Sequence, residues 1–131
     1  MSMEFDDLSN RVLGCGIEVH RELGPGLLES TYEQCLAYEL IQAGIPFKIQ
    51  QPISVAYKQI KLDCGYRLDC GYRVDLLVDD RLIIELKSVE QLLKIHEAQV
   101  LTYMKLANVR TGLLINFNVQ MLKKGIKRFV L

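Results

Sequence analysis

The chain has 131 residues, half of them hydrophobic and 24% charged, which is the balance and roughly the length of one folded globular domain. Sixteen Lys and Arg offset sixteen Asp and Glu, so a surface coated with positive charge for nucleic acid is excluded, although a local basic strip is not. No apolar run approaches the ~18 residues a membrane helix needs. Glu4, Asp6 and Asp7 stand where a signal peptide would be basic and then apolar. A single cytoplasmic domain over 1–131, with no membrane partner, is the expectation.

In chain order, Leu8, Val12, Cys15, Val19 and Leu23 recur at three- and four-residue steps and predict an amphipathic helix, stopped by Gly24-Pro25-Gly26. A second helix is expected over 28–43, ended by Gly44 with Pro46 behind it. From Phe47 the period becomes that of strands, over 47–51, 53–57, around 61–67, 73–78 and 82–87. A third helix is expected over 92–107. The apolar run 112–117 suits a strand buried on both faces, and the alternating 126–131 closes the sheet. The predicted fold class is α/β, a mixed central sheet flanked by helices.

Leu62-Asp63-Cys64-Gly65-Tyr66-Arg67 repeats unchanged as Leu68-Asp69-Cys70-Gly71-Tyr72-Arg73. Six is even, so a copy inserted in a strand keeps each side chain on its face, and a lengthened hairpin is the expected consequence. The four cysteines, Cys15, Cys35, Cys64 and Cys70, include no C-x-x-C pair, so reduced thiols are expected rather than a disulfide framework.

Three ionisable residues interrupt apolar strands: Asp75 in Val74-Asp75-Leu76-Leu77-Val78, and Glu85 and Lys87 in Ile83-Ile84-Glu85-Leu86-Lys87. Alternation puts Ile83, Glu85 and Lys87 on one face. If Asp79-Asp80-Arg81 forms a three-residue hairpin loop, Val78 pairs with Leu82 and Asp75 falls opposite Glu85. Two such carboxylates repel, and a divalent cation removes the problem; Mg²⁺ commonly takes one or two carboxylates and keeps several waters. A lysine on the same face can act on the attacking water or the charge of the transition state. The alternative is a surface salt bridge, which the apolar neighbours disfavour.

The arrangement of Asp75 followed by Glu85-Leu86-Lys87 resembles the PD-(D/E)XK nuclease superfamily, with Val74 in place of the proline. Gly26-Leu27-Leu28-Glu29-Ser30-Thr31-Tyr32 is similar to the G-x-x-E-x-x-Y signature of a family of small proteins in that superfamily, and Gln99-Val100-Leu101-Thr102-Tyr103 to the Q-x-x-x-Y motif of its RecB-like branch. Similarity to the GxxExxY family extends to His96-Glu97-Ala98-Gln99 and Gly112-Leu113-Leu114-Ile115-Asn116-Phe117-Asn118. The doubled hexapeptide departs from it and offers Asp69 as a rival to Asp75, which a short hairpin to Glu85 favours.

The resemblance implies a restriction-endonuclease-like core and Mg²⁺ or Mn²⁺ held by Asp75, Glu85 and the carbonyl of Leu86, with Glu29 holding or watering the metal. Lys87 and Gln99 join the catalytic group, and Tyr103, His96 and Tyr32 the substrate contacts. Ser30-Thr31-Tyr32-Glu33 also reads as a capping box, which would put Glu29 just outside the second helix. Lys123, Lys124, Lys127 and Arg128 are the densest basic cluster and a candidate phosphate contact. The expected partner is nucleic acid, DNA before RNA, and a homodimer is left open. The expected activity is phosphodiester hydrolysis; the rival is a catalytically silent module of the same fold that binds nucleic acid or a protein.

Overall fold

The computed structural model describes residues 6–58, 60–61 and 72–131. The elements are α1 (Asp7–Leu23), α2 (Glu29–Gln42), β1 (Phe47–Pro52), β2 (Ala56–Tyr57), β3 (Ile60–Lys61), β4 (Arg73–Val78), β5 (Leu82–Lys87), α3 (Lys94–Ala107), β6 (Thr111–Asn116), a 3-10 turn (Leu122–Gly125) and β7 (Ile126–Val130). Five strands form one mixed sheet in the order β1-β4-β5-β6-β7, with β5 and β6 parallel and the other neighbours antiparallel. The chain crosses from β5 to β6 through α3, the connection that a parallel pair requires.

Alternation along the strands divides the core in two. Leu82, Ile84, Leu86, Leu113, Ile115 and Phe117 pack with Leu8, Val12, Val19, Tyr32, Leu36 and Leu40 of α1 and α2. Ile83 and Leu114 pack with Val100, Tyr103 and Met104 of α3. The sheet is therefore sandwiched between the first two helices and the third, and β6 is buried on both faces as its apolar run predicts. At Gly112 a Cβ would lie 2.6 Å from Met104 Sδ and 3.0 Å from Val100 Cγ1, so only glycine lets α3 come this close to β6.

The β4–β5 hairpin has the expected register, Val78↔Leu82, Leu77↔Ile83 and Leu76↔Ile84. Asp79 and Asp80 both take left-handed backbone, with φ of 51° and 54°. Aspartate tolerates this conformation, and its twist matches that of the flanking strands.

Two boundaries differ from the expectation. The strand predicted over 53–57 is reduced to Ala56–Tyr57, paired with Ile60–Lys61 in a separate ribbon. Pro52 has no N–H to extend the ladder, and Ile53 instead buries its side chain on the α3 side and gives its N–H to Tyr72 O at 2.8 Å. The third helix begins at Lys94, because the Leu93 N–H is taken by His96 Nδ1 at 3.0 Å and closes the helix start. Most of the hexapeptide duplication, with Asp69, Cys64 and Cys70, lies outside the described residues. Cys15 and Cys35 are free, half-buried against the α1–α2 core, and burial pushes the Cys15 thiol up.

Candidate active site

The site forms where the β4–β5 ladder ends. The paired register ends at Leu76↔Ile84, and just past it Asp75 and Glu85 are joined by side-chain bonds in place of ladder bonds. The Asp75 N–H donates to Glu85 Oε1 at 3.0 Å, and Leu86 N–H donates to Asp75 Oδ2 at 2.8 Å. Extended backbone points a residue's N–H and C=O to the same side, so the Leu86 carbonyl is also directed toward Asp75.

The strand itself turns over at this point. Val74 packs on the α3 side and Leu76 on the α1–α2 side, although residues two apart in a strand share a face. Across from Asp75, Gln50 has φ of 50°, and the β1–β4 pairing skips from Ile49↔Leu76 to Gln51↔Val74. Gln50 Nε2 donates to Glu33 Oε1 and, at 3.3 Å, to Asp75 Oδ1. Asp75 thus faces α2 across an open cleft of about 290 Å³ lined by Glu29, Ser30, Glu33, Gln50 and Asp75.

Both carboxylates resist ionisation. Glu85 is 4% exposed, and burial, then the neighbouring Asp75 charge, pushes its carboxyl up to about 8. Burial also raises Asp75, against hydrogen bonds from Leu86 and Gln50 and the Lys87 charge that lower it. The ion pairs among the described residues lie elsewhere. No three Asp, Glu, His or Cys side chains among the described residues converge on one metal-sized point. Two oxygen-donor carboxylates whose charge is made costly first by burial nevertheless suit a hard cation that retains water.

The G-x-x-E-x-x-Y residues brace this cleft. Gly24 and Gly26 take positive φ (68° and 96°), and between them and α2 the Tyr32 hydroxyl donates to Gly24 O at 2.6 Å and accepts Leu27 N–H at 3.1 Å. Tyr32 is fully buried and stacked on Phe117 at 4.4 Å, so its expected place among the substrate contacts is overturned: both ring and hydroxyl are spent inside the fold. The capping-box expectation also fails. Leu28 is the N-cap without a side-chain cap bond, and Glu29 is the first helical residue. Glu29 Oε2 accepts Ser88 N–H at 3.1 Å and Ser88 Oγ donates to Leu27 O, which fixes the helix start one position before Ser30. Glu33, freed from capping, turns to Gln50.

On the other side, Lys87 lines a second cleft of about 450 Å³ with Tyr72, Ile95, His96, Gln99, Thr102 and Tyr103. The structure therefore gathers Lys87, His96, Gln99 and Tyr103, as the helical spacing implies. Gln99 Nε2 donates to the Tyr103 hydroxyl at 3.1 Å. Tyr103 is 8% exposed, and His96 Nδ1 is engaged by the helix start, so each is partly committed to the fold. Of the basic cluster, Lys127 pairs with Glu97 at 2.8 Å and Arg128 with Asp6 at 3.4 Å, while Lys123 and Lys124 are exposed on the 3-10 turn.

Glu33, Gln50 and Asn116 were missed by the reading of the sequence. Asn116, paired with Lys87, donates to Val89 O at 2.9 Å and accepts Val89 N–H at 3.1 Å, clamping the chain just beyond the lysine. Its one sequence signal was a polar residue inside the apolar run 112–117. Gln50 carried none, since a left-handed glutamine cannot be read from residue type.

Neither curated proteins nor solved structures yield a match to this chain. The family model described as PD-(D/E)XK nuclease superfamily matches residues 6–129. With an α/β core and nearly the whole length matched, the chain belongs to the PD-(D/E)XK nuclease superfamily.

Proposed function

We propose that this protein is a metal-dependent nuclease that hydrolyses phosphodiester bonds, in DNA before RNA, and that it falls in the GxxExxY, RecB-like part of its superfamily. The observation that carries this is the Asp75–Glu85 pair: two largely buried carboxylates interlocked through backbone amides, with Lys87 two residues further along β5. Asp75, Glu85 and the Leu86 carbonyl would hold Mg²⁺ or Mn²⁺, with Glu29 at its water. When bound, the cation supplies a more acidic water and offsets charge on the phosphate. Lys87 would orient that water or stabilise the charge developing on phosphorus-bound oxygen. Gln99, Tyr103 and His96 would line the path of the substrate backbone beside Lys87.

The proposal includes a single domain over 1–131 and a cytoplasmic location; light scattering of the purified protein distinguishes monomer from homodimer. The deciding experiment is incubation with single- and double-stranded DNA and RNA in Mg²⁺, Mn²⁺ or EDTA. Cleavage that EDTA abolishes is expected. Binding without cleavage across the whole panel favours a catalytically silent module instead.

A further inference from the structure

Resting on the metal-centre reading above, we infer that Gln50 sets the cation selectivity of the site by withholding Glu33 from the metal. The cleft beside Asp75 holds two further carboxylates, Glu29 and Glu33. Each is occupied by an N–H donor: Glu29 by the backbone of Ser88 at 3.1 Å, Glu33 by the amide of Gln50. The same Gln50 nitrogen reaches Asp75 Oδ1 at 3.3 Å. Ionised carboxylates can only accept, so two of them on one side of an amide draw its NH₂ there, which is the orientation Gln50 has.

The backbone supports the same assignment. Gln50 has φ of 50° within a strand, and the ladder breaks at this residue alone between Ile49↔Leu76 and Gln51↔Val74. A left-handed residue with a Cβ is strained, and such strain clusters where a side chain must be aimed. Here the aim is into the acidic cleft. Asp75 Oδ2 is taken by Leu86, which leaves Oδ1, the oxygen Gln50 touches, toward the cleft.

Ligand number separates the hard cations. Mg²⁺ demands octahedral geometry with few carboxylates and several waters, whereas Ca²⁺ accepts 6–8 oxygens at longer, flexible distances. A third carboxylate beside Asp75 and Glu85 favours the larger ion. By tying Glu33 to a neutral amide, Gln50 keeps the ligand set small.

The test is calorimetric titration of the full chain with Mn²⁺ and with Ca²⁺, which needs no activity. Gln50→Gly keeps the left-handed backbone and deletes the amide. It should raise the ratio of Ca²⁺ to Mn²⁺ affinity on the order of tenfold, the scale on which outer ligands tune a metal site. Adding Glu33→Gln should return the ratio to that of the unaltered protein. Equal weakening of both ions by Gln50→Gly, or a shift that Glu33→Gln leaves in place, overturns the assignment. If Gln50→Gly does not fold, Gln50→Asn, which tolerates the same backbone with a shorter side chain, must give the same rise. An unaltered protein that binds neither cation overturns the metal-centre reading itself; an unchanged Ca²⁺ to Mn²⁺ ratio in Gln50→Gly, with binding intact, overturns only the role of Gln50.

Discussion

Asp75 and Glu85 lie on adjacent strands and are joined through the backbone: the Asp75 amide donates to Glu85 Oε1 at 3.0 Å, beside the Leu86 amide that donates to Asp75 Oδ2 at 2.8 Å. Among the described residues neither carboxylate forms an ion pair with a cationic side chain, and both ionise reluctantly. Glu85, moved from 4.5 to about 8, holds a proton in the folded chain that the unfolded chain has lost between those values. Native proton binding in excess of the unfolded state means that stability falls as pH rises. The metal-free protein should therefore be most stable below about pH 4.5 with respect to this group, and lose that contribution as pH rises through about 8. Thermal melts in EDTA between pH 5 and 8.5 should slope downward, and Glu85→Gln should flatten the slope. An unchanged slope in the variant places the titrating group elsewhere.

Metal binding must expel that proton, so affinity should rise with pH over the same window. Mn²⁺ at a hundredfold excess over its Kd should stabilise the fold by about 2.7 kcal/mol. The Asp75→Asn/Glu85→Gln double variant should show neither heat of binding nor a melting shift. Equal Mn²⁺ binding by the double variant would falsify the assignment of these two residues as ligands.

Tyr32 predicts a separation of stability from binding. Its hydroxyl spans Gly24 O and Leu27 N–H, so Tyr32→Phe strands a donor and an acceptor beside α2. A cost of about 1–3 kcal/mol follows. Denaturant melts should register that loss, while nucleic-acid affinity of the folded variant stays unchanged. A large loss of affinity without loss of stability restores Tyr32 to the substrate surface.

The hexapeptide duplication gives a fourth test. Arg73 opens β4 and Tyr72 O accepts the Ile53 amide, so β4 begins at the very end of the second copy. Removing 62–67 takes out an even number of residues and keeps strand facing. The shortened chain should fold with a circular-dichroism spectrum like that of the full chain and bind Mn²⁺ equally; failure to fold makes the extra copy structural.

Much of this site was legible because hydrophobic alternation fixes strand facing. Ionisable residues at positions 75, 85 and 87 within apolar runs pointed to a metal site more readily than to a surface salt bridge, and an Asp-Asp-Arg loop of three residues set the hairpin register. The fold class followed from the change of period at Phe47 and the continuous apolar run of β6. What alternation cannot express is a break in itself. The reversal at Asp75, the left-handed Gln50 and the turn of Glu33 toward it arise from tertiary bonds, as does the start of α2 at Glu29. Tyr32 was misjudged for the same reason, since a motif tyrosine looks identical whether its hydroxyl meets solvent or a glycine carbonyl.

Lys87 separates the nuclease from its silent rival. The backbone around it is held without help from its own side chain: its carbonyl accepts the Phe117 amide at 2.9 Å, and Asn116 grips Val89 two residues on. Its half-buried stem lies beside Gln99, His96 and Tyr103. Lys87→Met keeps much of that apolar stem and deletes the charge, so the fold and the Asp75–Glu85 register should survive. Loss of one positioned electrostatic group typically lowers turnover ~10²–10³-fold. Single-turnover cleavage by Lys87→Met should fall by about that factor, with Mn²⁺ binding retained and nucleic-acid affinity only modestly reduced. Asp75→Asn should lose metal and turnover together. If Lys87→Met cleaves as fast as the unaltered protein, the charge that matters lies elsewhere in the same cleft, and His96, Gln99 and Tyr103 are the residues to replace next.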